Sequence, residues 1–133
     1  MSLDRIVPFA GVFNFRDLGG YRTLDGRTTR WGRLFRSDAL HDLTLEDLAL
    51  FRRLGVSSIV DLRSSAEVAR TGRVLLGGES LHFVNSPVLS DAEADGPREE
   101  STFDASYLTR RYLQYLDVGA PAFVAAVTEM AVA

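Results

Sequence analysis

The chain has 133 residues, 46% of them hydrophobic and 25% charged, a composition that allows one domain with a sizeable core and argues against disorder over most of its length. Its 15 basic and 18 acidic residues leave a net charge of −3, opposite in sign to the basic face that a general nucleic-acid or anionic-membrane binder needs. Cys is absent, which excludes disulfides, thiolate metal sites and a cysteine nucleophile.

Gly11 to Gly20 (GVFNFRDLGG) reads as a structured, glycine-ended loop. Tyr21–Leu24 and Arg27–Arg30 flank Asp25-Gly26, a hairpin signal between short β-prone runs. Trp31 to Phe35 reads as a strand continuing into Arg36-Ser37-Asp38. Thr44 and Asp47 form a T-x-x-D capping box for a helix carrying Leu45, Leu48, Phe51 and Leu54 at helical spacing, and Gly55 ends it where a left-handed residue is wanted. Val56 to Leu62 is β-branched and reads as a largely buried strand. Ser64 and Glu67 make a second capping box, opening a short helix that ends near Thr71-Gly72.

Leu81 to Val84 is the next strand, and the acidic run Leu89–Thr102 reads as a loop. Tyr107, Leu108, Tyr112, Tyr115 and Leu116 mark an amphipathic helix and read as core. Pro121 opens the last helix, with Phe123, Val124, Val127 and Met130 expected on its inner face. The alternation of strands and helices is α/β, in a single domain. No apolar run approaches the ~20 residues needed to span a bilayer, and the N-terminus lacks the apolar stretch of a signal peptide. The chain is therefore expected in the cytoplasm.

Three segments can carry chemistry. In Asn14–Gly20, Arg16 can hold an anion that Asp17 orients, or the two can brace the loop through backbone hydrogen bonds. In Leu34–Asp38, at a strand end where α/β proteins bind ligands, Arg36 can meet a phosphate or pair with Asp38 or Asp17. In Asp61–Glu67, a strand runs into a helix N-terminus, and Arg63 can serve an anion there or pair with Glu67. Every basic side chain is Arg, the planar fork suited to carboxylate and phosphate, although codon usage alone gives the same bias. His41 and His82 lie far apart in sequence and read as ordinary polar positions rather than zinc ligands.

The succession NFRDLGGY, T-x-DGR, G-x-L-F-R-S-D-A-L, T-x-x-D-L and LGV-x-x-I-V-D-L-R-S-x-x-E resembles the bacterial and fungal tyrosine-phosphatase-like family, strongly over residues 11–67 and weakly over the helices from Tyr107 to Met130. The resemblance implies a three-layer α/β cysteine-phosphatase-like domain. In that family a thiolate in an H-C-x-x-G-K-D-R-T-G loop attacks phosphorus, and the loop's N–H groups and Arg cradle the oxyanions. It further implies phosphotyrosine, phosphoserine/threonine or phosphoinositide substrates and no metal or organic cofactor; Arg16, Asp17, Arg36 and Arg63, from the three segments above, are the candidate substrate-binding residues. The acidic stretch Asp91–Asp104 falls where the family has a variable lid that can supply a general acid.

These residues contain no such loop and no Cys. The chain is therefore expected to be the N-terminal part of a longer phosphatase, truncated before the phosphate-binding loop and inactive alone. Its Val56–Leu62 strand is expected to keep an open edge through which copies can associate. A non-catalytic module that binds phosphorylated ligands, or serves assembly, is the alternative.

Overall fold

Thr44 and Asp47 close the capping box that their spacing predicts. The Thr44 hydroxyl accepts the Asp47 N–H at 3.1 Å and the Asp47 carboxylate accepts the Thr44 N–H at 3.1 Å, opening a helix over Leu45–Arg53. The computed structural model describes residues 4–74, 81–94 and 105–132, which fall into two units. Residues 4–56 with 73–74 form the first, and 57–72 with 81–94 and 105–132 the second.

In the first unit, β1 (Arg16–Asp17) and β2 (Phe35–Arg36) pair antiparallel, with Arg16 opposite Arg36 and Asp17 opposite Phe35. Ile6 bridges Arg16 from the other side. The capped helix Leu45–Arg53 is α1, and Gly55 follows it at φ 65°, the left-handed stop that the sequence indicates. The core is aromatic. Phe15 meets Phe9 edge-on at 4.7 Å, lies 5.4 Å from Phe35 and 6.2 Å from Phe51, and Phe15 and Phe51 are both buried.

The predicted strand Trp31–Asp38 contracts to β2, because Gly32 turns the chain at φ 70°. The Asp25-Gly26 hairpin forms, with Gly26 at φ 81° and its arms joined at the Arg22–Thr28 bridge by the bonds from the Thr23 N–H to the Arg27 carbonyl and from the Thr29 N–H to the Tyr21 carbonyl, each at 2.9 Å.

The second unit is a parallel pair, β3 (Ser58–Asp61) and β4 (His82–Asn85), with the helix α2 (Ser65–Thr71) between them in sequence. Parallel neighbours need such a crossover. The Ser64–Glu67 capping box forms as the sequence predicts, and Gly72 stops the helix at φ 80°. The strand is shorter than predicted and half-buried along its whole length rather than largely buried, β4 being its sole sheet partner among the described residues.

The expected acidic loop begins instead with one helical turn, α3 (Asp91–Ala94), where Ser90 and Glu93 cap each other. Residues 95–102 of that loop lie outside the described residues.

Helices α4 (Ala105–Val118) and α5 (Ala120–Val132) meet at Gly119, where a Cβ would stand 2.5 Å from the Tyr115 carbonyl oxygen and from the Val88 side chain. Their inner faces correct the sequence reading. On α5, Ala126 is buried and Phe123 half-buried, whereas Val124, Val127 and Met130 are exposed, Val124 by 67%. On α4, Tyr107 and Tyr115 are half-buried while Leu108, Tyr112 and Leu116 are exposed. The physical reason is that α5 is apolar nearly all round, so its sequence carries two stripes and periodicity cannot choose between them. Among the described residues no single helix is long and apolar enough to cross a membrane.

Candidate functional site

The carboxyl ends of β3 and β4 carry a polar cluster, the place where parallel sheets present ligand-handling groups. Asp61, the last residue of β3, accepts the Arg63 backbone N–H at 3.0 Å. It also takes the guanidinium as a fork, Nε at 3.0 Å to one oxygen and Nη2 at 2.5 Å to the other. Arg63 continues to Thr71 Oγ1 at 2.7 Å and the Gly72 carbonyl at 3.0 Å, so it ties the end of β3 to the far end of α2. Both side chains are largely shielded, 19% exposed for Arg63 and 11% for Asp61. Glu67, the partner that spacing alone suggests for Arg63, gives its carboxylate to the Ser64 N–H at 3.0 Å.

Asn85, opposite Asp61 in the register, completes the cluster. Its amide donates to the carbonyls of Asp61 at 3.0 Å and Arg63 at 2.9 Å, and its Oδ1 accepts the Ser65 hydroxyl at 3.3 Å. Asp91 accepts the Ala66 N–H at 2.8 Å, so of the acidic stretch proposed to hold a general acid, this carboxylate is bound to the first turn of α2. Asp95 and Asp104 lie outside the described residues. Nearby, hydrogen bonds from the Ser90 hydroxyl and N–H, with the Arg111 charge, outweigh desolvation and hold the Glu93 carboxyl below its usual range.

In the first unit Asp17 braces its loop. Its carboxylate accepts the N–H groups of Gly19 and Gly32, each at 2.7 Å, pinning the Leu18-Gly19-Gly20 turn to the Gly32 turn. Trp31 lies against that turn so closely that a Cβ on Gly19 would stand 2.6 Å from the Trp31 Cα. Arg16 folds back on Asn14 rather than on Asp17, with Nε 3.3 Å from the Asn14 carbonyl and Nη2 3.0 Å from its Oδ1.

Asn14 is the one described non-glycine residue at positive φ, 55°. Arg36 is exposed, and among the described residues its guanidinium has no hydrogen-bond or ion-pair partner. Asp38 gives its carboxylate to the Phe13 N–H at 3.0 Å. The structure thus brings Arg16 and Arg36 face to face, sets Asp17 on the opposite side of the same ladder, and places Arg63 in the second unit.

Sequence reasoning missed Asn14, Asn85 and the wider role of Asp47. Besides capping α1, Asp47 accepts the N–H groups of Ala10 and Gly11, each at 2.8 Å. Burial pushes its carboxyl up, but the donors from Ala10, Gly11 and Thr44 together outweigh that and hold it below the usual range. Asn in NFRD was a visible signal, since Asn is the residue that most readily replaces Gly in the left-handed region. The partners of Asp47 and Asn85 are distant in sequence and left none. His41 and His82 stand beside Asp42 at 3.5 Å and Glu129 at 3.3 Å, respectively.

A profile of the tyrosine phosphatase family matches residues 7–133. The chain is 40% identical over 100 residues, 74% of its length, to the triple specificity protein phosphatase PtpB of Mycobacterium tuberculosis, covering 35% of that protein. It is 36% identical over 88 residues, 66% of its length, to a protein of Cupriavidus necator provisionally named a tyrosine-protein phosphatase, covering 32% of it. The chain thus spans about a third of the length of the curated relatives it matches. The parallel β3–α2–β4 arrangement agrees with an α/β phosphatase-like fold, and with the profile running through nearly the whole sequence, the chain belongs to the tyrosine phosphatase family.

Proposed function

We propose that these 133 residues are the part of a cysteine-dependent phosphomonoester hydrolase that frames the substrate side of the site and lacks the nucleophile. The observation that carries this reading is a tyrosine phosphatase family match over residues 7–133 in a chain without a single Cys. In the complete protein, a thiolate supplied from elsewhere attacks phosphorus, the ester oxygen leaves, and water releases phosphate from the cysteinyl-phosphate. The chain alone performs no turnover, because no side chain here combines a nucleophile with the oxyanion cradle that supplies most of the stabilisation.

Arg16, Asp17, Arg36 and Arg63 are the candidate substrate-side residues. Their geometry supports a division in which Asp17 and Arg63 hold their loops while Arg16 and Arg36 face the ligand. Substrates of this reading are phosphorylated side chains of proteins, with phosphoinositides as a further class, in a cytoplasmic setting. The side of β3 that carries no strand among the described residues is in this reading a place for self-association. The test is hydrolysis of an aryl phosphate by the chain alone and by the full product of its reading frame. Turnover by the longer protein only is expected, and turnover by neither moves the non-catalytic binding module to the front.

A further inference from the structure

Two arginines stand opposite each other where an antiparallel ladder ordinarily places complementary or apolar partners. Arg16 and Arg36 are direct partners in the β1–β2 register, which sets their Cα atoms about 4.5–5.5 Å apart and both side chains on one face. The other face belongs to Phe15, which is buried, and to Phe35, which packs on it. Like charges directly opposed are destabilising in a sheet. Neither guanidinium has a carboxylate partner among the described residues, and Asp38, two residues past Arg36, is turned to the Phe13 N–H.

The chain holds this arrangement at a cost in backbone strain. Just beyond the paired residues, the chain takes three steps from Arg16 back to Phe13 against two from Arg36 on to Asp38, whose N–H bonds the Phe13 carbonyl at 3.3 Å. The extra residue acts as a bulge, a device that re-aims a neighbouring side chain. Asn14, within it, sits at φ 55°, and its Oδ1 takes Arg16 Nη2 at 3.0 Å. That contact, with the bond from Nε to the Asn14 carbonyl, fixes the direction of the Arg16 fork and leaves Nη1 without a partner among the described residues.

We infer that the Arg16–Arg36 pair is a binding site for the dianionic phosphoryl group of a phosphate monoester, with Asn14 as the residue that positions Arg16. The inference rests on the proposed function only for the class of ligand. The Arg36 fork and the remaining Arg16 nitrogen, Nη1, offer N–H donors of the kind that phosphoryl oxygens accept. A phosphate monoester carries close to two negative charges at pH 7, enough to offset both cations, whereas a sulfate ester carries one.

The test titrates the 133-residue chain with phenyl phosphate by calorimetry, with phenyl sulfate as the singly charged counterpart. Arg36→Gln is expected to weaken phenyl phosphate binding about tenfold or more, the loss of one charge-assisted contact. The same substitution should leave the melting temperature unchanged or raised, since it relieves the opposed charges. Asn14→Gly keeps the left-handed backbone and the carbonyl that takes Arg16 Nε but removes the side-chain contact to Nη2, and is expected to weaken binding about threefold while Arg33→Gln, at an exposed arginine outside the ladder, leaves it unchanged. Absence of phenyl phosphate binding, equal binding of the sulfate, or equal loss in Arg33→Gln would overturn the inference. None of these outcomes bears on turnover by a longer protein, so the two readings fail separately.

Discussion

Asp47 accepts the Gly11 N–H at 2.8 Å, across 36 residues of sequence, with the same carboxylate that caps α1. One buried side chain therefore closes a helix and fastens the segment that leads into β1. Gly11 is required there because a Cβ would collide with the Asp42 carbonyl, while the Gly11 N–H must reach Asp47. Asp47→Ala is expected to lower the melting temperature by clearly more than Thr44→Ala, which removes a cap alone and costs about 0.5–2 kcal/mol. Thermal denaturation of the two variants side by side checks this.

Acid should act through the same carboxylate. Its folded pKa lies below the ordinary value of 3.8, so its contribution to stability is present above that value and is lost as pH falls through the lower folded one. The first unit is therefore expected to lose stability below pH 3.8, and Asp47→Asn is expected to flatten that part of the profile. Circular dichroism melts at stepped pH values show whether it does.

The Asp61–Arg63 fork is shielded, so removing one member strands the other. Arg63→Gln is expected to destabilise the chain by about 3 kcal/mol, the lower end of the range for a broken buried pair. Asp61→Asn combined with Arg63→Gln should recover part of that loss. Urea denaturation of both variants tests the coupling, and strictly additive losses would count against it.

At the Leu18-Gly19-Gly20 turn the limiting contact is Trp31. A methyl group on Gly19 would stand 2.6 Å from the Trp31 Cα, which is backbone and cannot swing aside. Gly19→Ala is expected to cost about 1–3 kcal/mol as an overpacked contact. Gly19→Ala in a Trp31→Ala background should cost nearly as much, because the Cα remains. Equilibrium unfolding of the single and double variants checks both.

What the sequence made legible was local. Both capping boxes, Thr44–Asp47 and Ser64–Glu67, and the stop at Gly55 span a few residues, and their side chains have one dominant use at that spacing. Pairings that cross the chain were not legible. Nothing near Asp17 announces Gly32, nothing near Asn85 announces Arg63, and the opposition of Arg16 to Arg36 depends on a register of only two residues per strand. The inner face of α5 was unreadable for a different reason, since an apolar helix gives no contrast between its faces.

Those exposed stripes have a measurable consequence. With Tyr112 and Leu116 on α4 and Val124 and Val127 on α5 open to water, and β3 paired only with β4 among the described residues, the isolated chain is expected to self-associate as concentration rises. Sedimentation velocity over a concentration series checks this. Val124→Glu with Val127→Lys should return it to monomer.

The most direct test of the central claim is a turnover assay with p-nitrophenyl phosphate on the purified chain, with vanadate as inhibitor. Hydrolysis no faster than the buffer blank is expected, because a chain without Cys has no thiolate to attack phosphorus. Vanadate-sensitive hydrolysis by these 133 residues would contradict the account and require a different nucleophile.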